Sequence, residues 1–277
     1  HRCLQARTAG AQPALTVWTA EHDAAERRRF VTQLARSTIY DYDAAGRLLH
    51  TSFTGFHGSG QVGYQYDDSR VRTVKSVRVA GEPEVDTYHL GHGYEIRVDR
   101  ADPSVEAYSF HVDGPNGILA TVTGGQGLPQ QADAQSVGPH MSALVGDTIS
   151  GPGLGITWHH KDLLGSTTLL TNEPGAPVAR YFYAPYGDLR RAHSAGEDLT
   201  PLKFTGHEQD AATGLVYMQA RFYDPFSGRF LSPDLVTPGG GLEPMGFNRY
   251  TYVLGNPLKF IDPDGRAPEA IARGLSS

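Results

Sequence analysis

From Ser37 onward the chain keeps returning to one short pattern: an alternating strand, a turn built from Asp, Asn, Gly or Pro, and a second strand. The spacing is about twenty residues, as in a repeat array. A hairpin of this size has no core of its own, so neighbours must pair edge to edge. Hairpins in series with few helical signals between them constrain the chain to an all-β fold. The first copy runs Thr38–Asp43, turns at Ala44-Ala45-Gly46-Arg47 and resumes at Leu48. The second runs Val62–Asp67, with Asp67-Asp68-Ser69 in the turn. Further strand pairs are expected over 85–99, 106–123 and 157–190.

One helix is expected, over residues 17–36 (VWTAEHDAAERRRFVTQLAR). Its acidic residues come early and its arginines late, which suits a helix dipole. Trp18, Phe30, Val31 and Leu34 would form its apolar stripe. Residues 1–15 carry no period. Residues 124–156 are rich in Gly, Pro, Gln and Ser and predict a loop between strands. The expected organisation is therefore an irregular segment and helix (1–36), hairpins (37–200), an aromatic-rich block (201–265) and a short tail (266–277).

Composition narrows the function classes. Of 277 residues, 39% are hydrophobic and 19% charged, so the chain can build a core. Its 33 Gly and 18 Pro demand many turns. A net charge of −6 argues against nucleic acid or an anionic membrane as the main partner. The single cysteine, Cys3, forms no internal disulfide and no cysteine-based zinc site. No apolar run reaches the length of a membrane-spanning helix. His1 opens the chain without a Met or a signal core, so the expectation is a piece of a longer reading frame.

The repeat Tyr-x-Tyr-Asp-x-x-Gly-Arg-Leu at 40–48 (Tyr40, Asp41, Gly46, Arg47) is one motif. His160, Asp162, Gly165 and Ser166 form a His-x-Asp-x-x-Gly-Ser signature. Gly228, Asn256, Pro257 and the closing Asp262-Pro263-Asp264-Gly265 punctuate the aromatic block. On these residues the chain resembles the Rhs (rearrangement hotspot) or YD-repeat family, which includes teneurins and the cocoon subunits of bacterial insecticidal toxin complexes. The resemblance covers roughly residues 37–265 and is densest from 158 onward. It implies a spiralling antiparallel sheet, the C-terminal part of a hollow β-shell, with 201–265 as the Rhs repeat-associated core domain.

The same resemblance implies a role in enclosing a C-terminal toxin or surface effector within an exported or surface polypeptide. Its implied partners are preceding YD repeats of the same polypeptide and that effector segment, with glycans or secretion-system proteins as further candidates. It also implies one reaction. Bacterial members cut themselves just after the core block with aspartates, which here points to Asp234 and Asp262 with Arg229 as the basic residue, cutting near 265–266. Two carboxyl groups sharing a proton can act as base and acid. The sequence departs from the pattern where Leu235 follows Asp234, at Met245 and at Arg266. Asp234 and Asp262 also suit plain turns, because Asp accepts backbone hydrogen bonds and Pro263 fixes φ. Both readings stay open.

Other constellations are weaker. His160, Asp162 and Ser166 are too compressed along one strand for a hydrolase triad, which draws side chains from separate elements. Twelve histidines include the close pairs His89/His92 and His159/His160, but no metal-binding spacing, so no metal and no cofactor is expected. Tyrosines recur at i, i+2 (64/66, 181/183, 250/252), which suits cross-strand packing. Exposed, such rows would stack on sugars, and an adhesion or carbohydrate-binding module is the third reading.

Overall fold

The computed structural model describes residues 18–33, 36–55, 58–91, 93–104, 106–114, 117–125, 155–196, 198–234 and 248–270. The dominant element is one fourteen-stranded antiparallel sheet, β1 (Trp18–His22) to β14 (Ala195–Gly196), in unbroken sequence order. Consecutive strands pair as neighbours throughout, so the array is a long meander. A small four-stranded sheet follows: β15 (Glu208–Gln209), β16 (Val216–Met218), β17 (Arg221–Asp224) and β18 (Arg229–Phe230). A two-stranded pair, β19 (Phe260–Ile261) and β20 (Glu269–Ala270), completes it.

The expected hairpins appear as β3 (Arg36–Tyr42) with β4 (Leu48–Gly55), β5 (Gly58–Tyr66) with β6 (Arg72–Val79), β7 (Val85–Leu90) with β8 (Tyr94–Asp99), and β9 (Glu106–Gly114) with β10 (Gly117–Gly125). The turn chemistry repeats at atomic level. Asp43 Oδ1 accepts from Arg47 N at 2.8 Å, and Gly46 takes φ +83°. Asp162 Oδ1 accepts from Ser166 N at 2.8 Å, with Gly165 at φ +82°. The turn aspartate of the first repeat is thus Asp43, while Asp41 is exposed on β3 opposite His50.

The expected helix over 17–36 is not there. Among the described residues there is no α-helix, and 18–33 form the hairpin β1–β2, with β2 at Arg28–Gln33. Its turn is the same device in disguise. Asp23 Oδ1 accepts from Ala25 N and Arg27 N, both at 2.9 Å, and Glu26 holds the left-handed position at φ +62°. Glu26 stands where the 43–47 turn carries Gly46, and His22 where that repeat carries Tyr42, so the motif is hidden and the charge gradient imitates a helix. Pairing with β3 buries Val31 completely, and this tertiary contact outweighs helical propensity. Residues 1–15, Leu34 and most of the 124–156 loop lie outside the described residues.

Adjacent repeats lock through a tyrosine–arginine ladder. Tyr42 Oη donates to Arg28 O at 2.6 Å, and Tyr66 Oη to Leu48 O at 2.6 Å. Arg27 lies 4.9 Å over the Tyr42 ring, and Arg47 lies 5.1 Å over that of Tyr66. Each arginine also donates to the carbonyl of the next repeat's aspartate, at 3.0 Å (Asp43) and 3.2 Å (Asp67).

The sheet curls round the chain after Thr200. The turn at Lys203–His207 is closed by Lys203 N donating to His207 O at 2.9 Å. Lys203 O accepts from Thr167 N in β12 (Thr167–Asn172), while Glu208 pairs with Arg72 and Lys75 in β6. In a flat sheet β6 and β12 would lie about 29 Å apart, six strand spacings of about 4.8 Å. One tight turn touches both only because the sheet is rolled. Inside the roll, Val62, Tyr64 and Val77 pack with Leu215, Phe222 and Leu231, and Phe204, Met218, Tyr223, Phe230 and Tyr252 form a second aromatic cluster. Tyr40, Tyr64 and Tyr181 are buried, so these members of the tyrosine rows serve the core rather than an open sugar platform.

Candidate functional site

The inner segment is pinned by buried polar contacts. Arg28 Nη1 meets Asp224 Oδ2 at 2.7 Å, with side-chain exposures of only 3% and 10%. Tyr64 Oη donates to Asp210 Oδ2 at 2.7 Å, and Arg36 Nη2 to Ala212 O at 2.6 Å. Arg28 N donates to Leu231 O at 2.8 Å. Glu208 is held by Lys75 at 3.0 Å and by Arg72 in a closer pair. Burial alone would raise the pKa of Glu208, but these two cations outweigh it and hold it at about 2.

Asp234 and Asp262 do converge, through an arginine the sequence reading did not single out. Arg221 Nη2 lies 3.1 Å from Asp234 Oδ2 and 3.5 Å from Asp262 Oδ2. Both carboxylates are buried. Arg221 is placed by β17 and its guanidinium stacks on Phe230, 3.6 Å from the ring centroid. Arg229 lies on β18, where its backbone pairs with Asp224 and Thr251. No sequence motif pointed to Arg221; in the fold it sits in a strand whose four positions are all buried.

The closing motif folds onto this arginine. Arg221 Nε donates to Gly265 O at 2.5 Å. Asp262 Oδ1 accepts from Arg266 N at 3.0 Å and Ala267 N at 3.2 Å. The peptide bond between Gly265 and Arg266 therefore has its carbonyl on a guanidinium and its N–H on a carboxylate. Burial raises the pKa of Asp262 to about 6, against the opposing pull of Arg221 and the two amides. Burial in turn lowers that of Arg221, while the aspartates pull it back. Gly265 has φ +73°, and a Cβ there would collide with Met218 O. Pro263 O meets His207 Nε2 at 3.0 Å, and Asp264 O accepts from Ala220 N. Asn256 O accepts from Lys259 N and Phe260 N, ahead of β19, and Pro257 beside it is buried. Gly228 takes φ +66° against the Tyr186 ring.

The other sequence candidates are structural in their contacts. Asp162 caps its turn, His160 Nε2 meets Thr171 Oγ1 at 3.0 Å, and Ser166 Oγ accepts from Thr205 N at 3.1 Å. The three side chains bond three different partners and form no relay. Met245 lies outside the described residues.

Over residues 160–258 the chain matches the Teneurin YD-shell family model. It belongs to the Rhs/YD-repeat family. Among curated relatives, the toxin protein Tse5 of Pseudomonas aeruginosa is 33% identical over 237 residues, 81% of this chain and 17% of that protein. Toxin subunit YenC2 of Yersinia entomophaga is 38% identical over 117 residues, 41% of this chain and 11% of the relative. The tRNA(Glu)-specific nuclease WapA of Bacillus subtilis subsp. natto is 33% identical over 109 residues, 39% and 5% respectively. The chain thus spans only 5% to 17% of these three proteins. In fold it is similar to the crystal structure of TcdB2-TccC3-Cdc42, with a TM-score of 0.68 at 20% identity over 88% of this chain and 11% of that one. The Rhs/YD sheet seen here is therefore part of a shell architecture, and its relatives include bacterial toxins.

Proposed function

We propose that this chain is the closing part of an Rhs/YD shell that encloses a C-terminal toxin or effector segment of an exported polypeptide. The observation that carries the reading is the rolled sheet with residues 201–234 and 248–265 docked inside it, pinned at β2, β3, β5, β6 and β12. Such a docked segment blocks the end of a roll. The outer edge of β1 has no strand partner among the described residues, and a preceding YD repeat would pair there. The test is protease protection of the natural full-length polypeptide. The segment after residue 277 should resist cleavage in the native protein and be digested once Asp224→Asn and Tyr64→Phe loosen the docked segment. Equal digestion in both would end the proposal.

Self-cleavage is a second reading, supported by the contacts at Gly265–Arg266. Arg221 Nε would hold the carbonyl oxygen as negative charge develops. Asp234 would take a proton from the attacking water, the bond from Gly265 C to Arg266 N would break, and Asp262 would supply a proton to the leaving amine. The intramolecular setting lowers the barrier by roughly 7–11 kcal/mol through orientation alone. A denaturing gel of the full-length polypeptide, with and without Asp262→Asn, decides it. One uncut band in both rejects self-cleavage.

A further inference from the structure

Strands β7 to β11 carry a row of polar side chains that the shell-closing role does not use. His89 on β7 lies opposite Glu95 on β8, His111 on β9 follows, and Thr121 on β10 joins it to His159 on β11 (Gly155–Lys161). Cross-strand register puts all five on the face that Val77 and Val85 bury. His111, Thr121 and His159 are each at most 6% exposed. Thr121 Oγ1 lies 2.9 Å from His111 Nδ1 and 2.9 Å from His159 Nε2.

One hydroxyl between two imidazoles sets a limit. It has a single hydrogen, so it donates to one ring and accepts from the other, whichever tautomers the rings hold. At least one ring must therefore present a bare nitrogen to Thr121. If both carry a proton there, two N–H groups face one oxygen, and the buried hydroxyl hydrogen is left without an acceptor. The two rings are not equal candidates for charge. Glu95 Oε1 sits 3.7 Å from His111 Nε2 and 3.4 Å from His89 Nδ1, so a carboxylate stands behind His111. Behind His159, Nδ1 faces only the hydroxyl of Thr167 at 3.4 Å, beside Leu170. Neither β10 nor β12 carries a titratable side chain. The groups that act on His159 are Lys161 and His160 on its own strand and His111 across β10, each a cation or able to become one, while Asp113 on β9 acts on Lys161. Burial first, and then these cations, hold His159 neutral and lower its pKa to about 4.

We propose that the His111–Thr121–His159 row is an acid-sensitive joint in the sheet wall, where a second proton breaks the hydroxyl bridge and loosens β9 to β12. The sign follows from His159. Its folded pKa lies below the ordinary histidine value of 6.5, so the opened form binds the proton more readily. The stabilisation it gives is complete above about pH 6.5 and is lost as pH falls towards about 4. The contact of Glu208 with β6 does not share this response. Burial opposes its ionisation, yet Arg72 and Lys75 hold its pKa at about 2, so the pair keeps its charges across that window. On the shell-closing reading, on which this consequence alone rests, mild acid loosens one stretch of wall before the docked segment lets go of β6.

The test is amide hydrogen exchange of the natural full-length polypeptide at pH 7 and pH 5, corrected for the intrinsic pH dependence of exchange and read strand by strand. Peptides of β9 to β12 should exchange about twentyfold faster at pH 5, the ratio set by a shift from 6.5 to about 4. Peptides of β3 to β6 should keep their rates. His159→Gln retains a bond to Thr121 and cannot titrate, so it should abolish the acid response of β9 to β12. His50→Ala, an exposed histidine on β4, should leave that response intact. His207, also buried with a lowered pKa, responds in the same direction from the docked segment, and His159→Gln leaves that part in place. A response of β9 to β12 below about threefold overturns the proposal. So does an equal response in β3 to β6, or one that His159→Gln does not remove. Should His159→Gln fail to fold, the wild-type contrast between the two groups of strands decides alone. Protease protection at neutral pH tests the shell reading separately, so either can fail without the other.

Discussion

The Arg28–Asp224 pair offers the sharpest test of how the inner segment is held. Its two side chains are almost wholly buried and meet at 2.7 Å. Asp224→Asn keeps an oxygen for the local bonds to Phe226 N and Ser227 while removing the charge. Arg28 is then left buried without its counter-ion. Breaking a buried pair from one side costs about 3–5 kcal/mol, because the desolvation of the remaining charge is no longer offset. For a chain of this size that corresponds to a fall in Tm of roughly 6–20 °C. Urea unfolding of the wild type and the variant measures the loss directly, with the slope expected to stay constant. Adding Arg28→Met to Asp224→Asn should recover much of it, since no charge remains in the interior. A loss below about 1 kcal/mol, the value of a solvent-screened pair, would refute the claim that these charges pin the segment.

Four further outcomes follow from the geometry. Asp262 has its folded pKa raised to about 6, so it favours folding at low pH and that contribution fades as pH rises from about 4 to about 6; the Tm of Asp262→Asn should therefore gain on the wild type across that window, and a constant difference between pH 4 and 7.5 would reject the shift. Any self-cleavage that uses Asp262 as its acid should slow above about pH 6 in a gel time course. Glu26→Gly places the residue suited to φ +62° in the first turn and should stabilise the chain by up to about 1 kcal/mol in the same urea assay. Gly265→Ala adds a Cβ against Met218 O at positive φ, which should lower Tm by several degrees and pull the Gly265 carbonyl off Arg221.

The hairpin series was legible because strand alternation and turn chemistry are local. Asp43 with Gly46, Asp162 with Gly165 and Pro174 with Gly175 announce their turns within five residues. The first hairpin was not legible, since Glu26 and His22 stand in for Gly and Tyr, and a run of charges mimicked a helix. What gives that segment away is Val31 buried against the next strand, a contact no local pattern contains.

The candidate site divides in the same way. Asp234 and Asp262 could be named from their turn motifs, but the cation between them could not. Arg229 is nearer to Asp234 along the chain, yet Arg221 reaches both carboxylates because β17 and β18 run antiparallel and the closing motif folds back over them. The sequence by itself determined that this chain is a ladder of Tyr–Asp hairpins, because backbone pairing and turn geometry are set by near neighbours. Which charges meet in the interior was decided by the roll of the sheet around residues 201–234 and 248–265, because burial and ion pairing depend on distances that only the closed fold creates.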